Sequence, residues 1–159
     1  MSFETQKNIF DYYIYVDYSE SLIGYLVIEC QKIRDLLTKI SRLRHYRDSK
    51  NRKLYLKNVK QSFKAGNITN YFLKLKIKDK ADSIEIYSDV LEFLKRNDNC
   101  LIFISVDDNQ FRNFKKLAGI MDSRSAKIVK ESDLKKGTPE FQVSLVLDNL
   151  LNIERRRIK

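Results

Sequence analysis

The run Cys100-Leu101-Ile102-Phe103-Ile104-Ser105-Val106-Asp107-Asp108 limits most sharply what this chain can fold into. From Leu101 to Val106 it is short and almost wholly apolar, β-branched or aromatic. That composition suits a strand covered by helices on both faces. At Asp107 the character flips to two adjacent carboxylates. In an open α/β sheet, ligands bind outside the carboxyl ends of the strands. A second run, Tyr12 to Val16, also ends on an acid, Asp17. Two apolar strands, each delivering a carboxylate at its end, predict an α/β protein with an acidic site at one edge of its sheet.

The flanking sequence supplies the rest of such a fold. Tyr12 to Asp17 and Leu22 to Ile28 are close enough to form an antiparallel hairpin. The two-residue period puts Asp17 on the face of Tyr13 and Tyr15. From Gln31 to Tyr46 the period lengthens, with Ile33, Leu36, Leu37, Ile40 and Leu43 marking an amphipathic helix. Leu54, Leu56, Val59 and Phe63 predict that helix resumes as far as Ala65, with Gly66 ending it. Tyr71 to Lys78 alternates, Leu73, Leu75 and Ile77 against Lys74, Lys76 and Lys78, as a strand with one wet face does. Asp82 and Glu85 have capping-box spacing before a helix that runs to about Arg96. Asn97-Asp98-Asn99 turns the chain into the central strand. A short helix is expected over Asn109 to Leu117, and a short strand over Ala126 to Val129. Thr138 and Pro139 suit the N-cap and first position of a last helix that is apolar nearly all round. Arg155, Arg156, Arg157 and Lys159 complement the dipole at its end.

Composition narrows the function. The 159 residues fit a single domain spanning 1–159 with a full core, and 43% hydrophobic content makes it globular. No apolar run reaches the roughly 18 residues of a membrane span, and Met1 to Lys7 is no signal-peptide core. The two cysteines, Cys30 and Cys100, are isolated and read as core fillers, which points to the cytoplasm. The net charge of +10 favours a polyanionic partner, nucleic acid before membrane. The charge is clustered: Arg42 to Lys60 holds eight Lys or Arg against one acid, Asp48. Arg44, Arg47, Arg52 and Lys53 are the candidate phosphate contacts, with His45, Tyr46 and Tyr55 among them. A single histidine leaves no catalytic triad or zinc site, and no glycine-rich phosphate loop is present.

Asp148 stands alone inside the apolar last helix, on the stripe of Phe141 and Leu145. An ionised carboxylate there needs a neutralising partner: a cation, hydrogen-bond donors or a metal. Asp17, Asp107 and Asp148 therefore form a candidate cluster for Mg²⁺ or Mn²⁺, hard ions that oxygen ligands bind. Glu85 is a candidate fourth ligand, and Asp108 competes with Asp107 because neighbours on a strand face opposite ways. Two ions held this way could position water and stabilise the leaving oxygen in phosphodiester hydrolysis.

The order of hairpin, helix, strand, helix, apolar strand ending in Asp and final helix with a lone Asp resembles the ribonuclease H-like superfamily. Tyr15-Val16-Asp17-Tyr18-Ser19-Glu20 is similar to the first strand of a group of small proteins reading Tyr-Val-Asp-Glu-Ser-Gly. Glu131-Ser132-Asp133, Phe141-Gln142 and Val146-Leu147-Asp148 are similar to that group's later layout. Two positions depart: Tyr18 stands for Glu, and Leu147 for Ala before the last Asp. Arg47-Asp48-Ser49-Lys50 resembles the Asp-Ser-Lys step of type 2 ribonucleases H, without their glycine-rich opening. The resemblance implies a central mixed sheet with an N-terminal hairpin and helices on both faces, and a two-metal centre of Asp17, Asp107 and Asp148. The expectation is a Mg²⁺- or Mn²⁺-dependent nuclease acting on RNA or DNA. The alternative is a catalytically idle nucleic-acid-binding or adaptor module on the same fold, which Tyr18 motivates.

Overall fold

A computed structural model of the chain describes residues 10–105 and 126–158. Five strands form one sheet: β1 (Tyr12–Ser19), β2 (Leu22–Glu29), β3 (Phe72–Asp79), β4 (Cys100–Ile104) and β5 (Ala126–Lys130). Their order is β3-β2-β1-β4-β5. β1, β2 and β3 pair antiparallel in sequence, while β4 runs parallel to β1 and β5 parallel to β4. The sheet is therefore mixed, as expected. The hairpin is tighter than its polar composition suggested: both strands extend to a two-residue loop, Glu20-Ser21, with Glu20 at φ 50°.

Four α-helices cover the sheet among the described residues: α1 (Ile33–Ile40), α2 (Arg52–Ala65), α3 (Ser83–Arg96) and α4 (Pro139–Ile158). Among the described helices only α3 packs on one face. Its Ile86, Val90, Phe93 and Leu94 meet Ile14, Val16, Ile23, Tyr25 and Ile102. α1, α2 and α4 cover the other face over Tyr13, Tyr15, Leu26, Leu101 and Phe103. β1 and β4 are thus buried on both sides, as their unbroken apolar runs require. Cys30 and Cys100 are buried free thiols, and burial pushes each up to about 12, which suits inert core fillers.

Several boundaries shift for visible reasons. α1 stops at Ile40 and does not reach Tyr46, because Gln142 of α4 donates to the carbonyls of Ile40 (2.5 Å) and Leu43 (3.2 Å). α2 begins only at Arg52, where the Asn51 side chain accepts from Leu54 N at 3.2 Å. It ends at Gly66, but the left-handed residue is Asn67 (φ 51°). The Asp82/Glu85 capping box does not form. Asp82 makes no side-chain cap, and Glu85 turns to Lys76 (3.1 Å) and Lys78 (3.6 Å) instead. The lysine face of β3 is accordingly half covered by α3, not simply wet. The Thr138 cap forms as read, accepting from Phe141 N at 3.2 Å. The helix expected over 109–117 lies outside the described residues. Among the described residues, no helix is long and apolar enough to cross a membrane.

Gly24 sets how closely α4 approaches. It pairs with Asp17, and a Cβ there would sit 3.1 Å from Leu151 Cδ2, 3.1 Å from Ile77 Cγ1 and 3.2 Å from Leu147 Cδ1. Leu147 therefore fills the space that a side chain at position 24 would need.

Candidate functional site

The parallel strands bring three polar residues into one row. Val16 pairs with Ile104, and Ile104 with Lys130. The next residue of each strand, Asp17, Ser105 and Glu131, stands one step beyond, at the carboxyl edge. Alternation puts all three on the face of Tyr13, Tyr15, Leu101, Phe103 and Val129, the face α4 covers. Ser105 N donates to Val16 O at 2.9 Å, which holds the row together. The Ser105 hydroxyl stands between Asp17 and Glu131 and can donate its one proton to either, opposing the rise of each.

Asp148 comes to the same place from above. Its helix has Val143, Leu147 and Leu151 fully buried against the sheet, and Asp148 itself is only 6% exposed, as is Asp17. Oδ2 accepts from Tyr46 N at 2.9 Å, and Oδ1 lies 3.4 Å from His45 Nε2. His45 Nδ1 accepts from Arg47 N at 3.4 Å, so the ring proton belongs on Nε2, facing the carboxylate. A polar chain fixes the far side. Asn152 donates to Asp148 O (2.8 Å), and Ser19 Oγ and Arg155 both donate to Asn152 Oδ1 (3.0 and 2.9 Å). Arg155 also pairs with Glu20 at 3.1 Å. The hairpin tip and α4 are thereby tied together directly around the two aspartates.

All three carboxyl groups have a raised proton affinity, with burial the first cause of each. Burial, then the Asp148 charge, holds Asp17 well above the usual carboxylate range, against the pull of Ser105 and Arg47. Burial also raises Asp148, opposed by the Tyr46 N–H, His45 and Arg47. Glu131 is pushed up to about 9, by burial first and then by Asp17 and Asp148. Asp17 feels the Asp148 charge and Glu131 feels both, so the three groups lie within electrostatic reach of one another. Among the described residues, no three His, Cys, Asp or Glu side chains close into a group that could hold a metal unaided.

Of the residues singled out from sequence, Asp17 and Asp148 are brought together. Asp107 and its competitor Asp108 lie outside the described residues. Glu85 is not brought to them: it lies on the opposite face of the sheet with Lys76 and Lys78, because α3 packs there. Arg47 acts on all three carboxyls. The Arg52 guanidinium lies over the Tyr46 ring (5.5 Å), and the Arg44 guanidinium over Tyr55 (5.3 Å). Lys53 lines a groove between α2 and the end of α4. Sequence reasoning missed Glu131, although the rule that selected Asp17 applies to it equally: it is the acid directly after a strand. Tyr18 points away from Asp17, its hydroxyl bonded to Tyr87 on α3.

A five-stranded sheet in the order 3-2-1-4-5, with the first three strands antiparallel and the last two parallel to β1, is ribonuclease H-like. A solved structure agrees. The crystal structure of the ribonuclease H2 from Pyrococcus horikoshii OT3 matches with a TM-score of 0.52 at 13% identity, covering 92% of this chain and 72% of that one. The chain from the PCNA:RNase HII complex of Archaeoglobus fulgidus matches at 12% identity and TM-score 0.46 over the same shares. No family model matches the sequence, and no curated protein does. The likeness is one of fold.

Proposed function

We propose that this chain is a single-domain, divalent-metal-dependent nuclease that hydrolyses phosphodiester bonds in RNA or DNA. One observation carries the reading. Asp17 and Asp148 are buried at the carboxyl edge of the parallel strands with the half-buried Glu131 beside them in the row, all with raised proton affinity. Buried acids that disfavour their own ionisation are stabilised by a cation. An all-oxygen donor set suits Mg²⁺ or Mn²⁺. Asp17, Asp148 and Glu131, with Asp107 as a further ligand, are the groups to hold it. Bound there, such an ion supplies Lewis acidity toward the phosphoryl oxygen and a more acidic water.

The protein's own residues have separable roles in this reading. Tyr46 N–H and the Ser105 hydroxyl hold the carboxylates in fixed orientations. Arg47 is the cation nearest them by its influence, and it meets the phosphate whose ester is cut. Arg52, Lys53 and Arg44 bind phosphates further along. The test is direct. Purified protein should cut single strands, duplexes or hybrids with Mg²⁺ or Mn²⁺ and stop in EDTA, and Asp17→Asn or Asp148→Asn should abolish cutting. Cleavage that survives both changes sinks the reading.

A second reading keeps the fold and the nucleic acid but not the chemistry. Tyr18 supports it, being bonded to Tyr87 on the opposite face and unable to serve the acidic row. Salt-sensitive binding with no cleavage under any divalent ion would favour this binding module over the enzyme.

A further inference from the structure

Beside the carboxyl row lies a cationic cluster that the acids do not explain. Three guanidiniums gather on one buried ring: Arg52, Arg155 and Arg156 lie 5.5, 5.8 and 5.8 Å from the centroid of Tyr46, which is 7% exposed. Arg156 also donates to Tyr46 Oη through Nε (3.2 Å) and Nη2 (2.9 Å). Arg155 is the only one of the three with a carboxylate partner, Glu20, among the described residues. Its Nε is buried without a hydrogen-bond partner. An aromatic face offsets part of this charge, but among the described residues no carboxylate pairs with Arg52 or Arg156.

Arg156 of the cluster also lines a groove of 590 Å³ between α2 and the end of α4. Arg156 and Arg157 form one bank and Lys53, Lys57 and Lys60 the other, with Leu54 and Ile153 between them. No acid lines it. The three lysines are spaced four and three apart, so they share one stripe of α2. That stripe is about 10 Å long at ~1.5 Å per residue. One strand of a duplex advances roughly three nucleotides over such a length of its axis, at ~3.4 Å per nucleotide.

We infer that the Tyr46 arginine cluster and the lysine-banked groove form a phosphate track, which takes one strand of a nucleic acid on its way to or from the carboxyl row. This rests on the nucleic-acid reading above, and it adds Arg155, Arg156, Lys57 and Lys60 to the surface read from sequence. Tyr46 connects the two sites: its N–H holds Asp148, and its hydroxyl holds the first arginine of the track. The ladder of cations along both banks favours a regular polyanion over an acidic peptide.

The test measures binding of the full chain to a fluorescent 12-nucleotide single strand and to a hybrid duplex, in EDTA so that cutting cannot intervene. Lys57 and Lys60 are exposed, so Lys57→Ala with Lys60→Ala should leave the fold intact. The pair should weaken binding about tenfold and lower the salt slope by about two. Arg156→Lys, which keeps the charge but loses the fork on Tyr46, should also weaken it. Lys95→Ala, on α3 beyond the opposite face, should change nothing. Unchanged binding in the lysine and arginine variants, with salt-sensitive binding intact, overturns the track and spares the nucleic-acid reading. If no oligonucleotide binds, but inorganic phosphate binds the wild type and not Arg156→Ala, the cluster stands as a free-phosphate site and the nucleic-acid reading falls. A leucine- and glutamate-rich helical peptide that binds the groove more tightly than either oligonucleotide would overturn the track in favour of a protein partner.

Discussion

Asp148 illustrates how a single side chain can be both strained and held. It is an ionisable group in a core, and each neighbour offsets part of that cost: the Tyr46 N–H at 2.9 Å, His45 at 3.4 Å and the Arg47 charge. Asp148→Asn keeps the shape and can still accept from Tyr46 N. It should leave the fold intact, remove a buried like charge from Asp17, and abolish cleavage, a loss of at least ~100-fold, if the proposed cation is held by this charge. A thermal melt and a cleavage assay on one preparation check both halves. Glu131→Gln should weaken the response to Mn²⁺ about tenfold, in line with the loss of one outer or direct ligand. A metal titration of cleavage or of melting temperature reads it, and an unchanged midpoint would remove Glu131 from the site. At this scale the sequence disclosed part of the answer. Asp17 was legible because an acid ending an apolar strand is conspicuous, and Asp148 because an acid in an apolar helix is. Glu131 was obscured because Ala126 to Lys130 is short, lysine-flanked and weakly patterned. Glu85 was misleading because spacing alone cannot say on which face of a sheet a helix will pack.

At the scale of elements, α4 and the hairpin form one device. Gly24 lets the helix settle onto β2 opposite Asp17, and Leu147 and Leu151 occupy the space a side chain would take. Gly24→Ala should therefore lift α4, cost about 1–3 kcal/mol of stability by overpacking, and separate Asp148 from Asp17. Trimming Leu147 to Ala in the same chain should recover part of that loss. Denaturant unfolding of the two single variants and the double variant gives the coupling directly, and simple additivity would mean that Leu147 does not fill the space over Gly24. The strands and helices themselves were largely readable, because apolar periods of two and of three to four report burial on one face. What could not be read was the path of residues 41–51. Its local pattern favours continuing α1, but Gln142, Asn149 and Asp148 of α4 take the backbone groups of Ile40, Leu43, Arg44 and Tyr46. Bonds to residues about a hundred positions away leave no trace in a local window.

The whole molecule sets an acidic pocket within a chain of net charge +10. Surface cations leave the three carboxyls of the row, two of them buried, with raised proton affinity, so the metal-free protein should feel those groups as pH rises. Glu131 illustrates the sign. Its ordinary value is 4.5 and the fold raises it to about 9. Between those values the folded state binds more protons than the unfolded chain, so unfolding releases protons and stability falls as pH increases. Asp17 and Asp148 are raised as well and act in the same direction. In EDTA the melting temperature should be highest near pH 5 and decline steadily toward pH 9. A divalent ion binds the ionised form of the folded state, so it adds stability by RT ln(1 + [L]/Kd), and adds more of it at high pH. Saturating Mg²⁺ or Mn²⁺ should therefore flatten the decline and move the optimum upward. Asp148→Asn, with one raised carboxyl gone and the charge felt by the other two reduced, should be flatter than the wild type in EDTA and respond less to the ion. Melting curves at five pH values, with and without Mn²⁺, measure both slopes. Parallel curves that the ion fails to bring together would mean that the carboxyl row does not take a divalent cation.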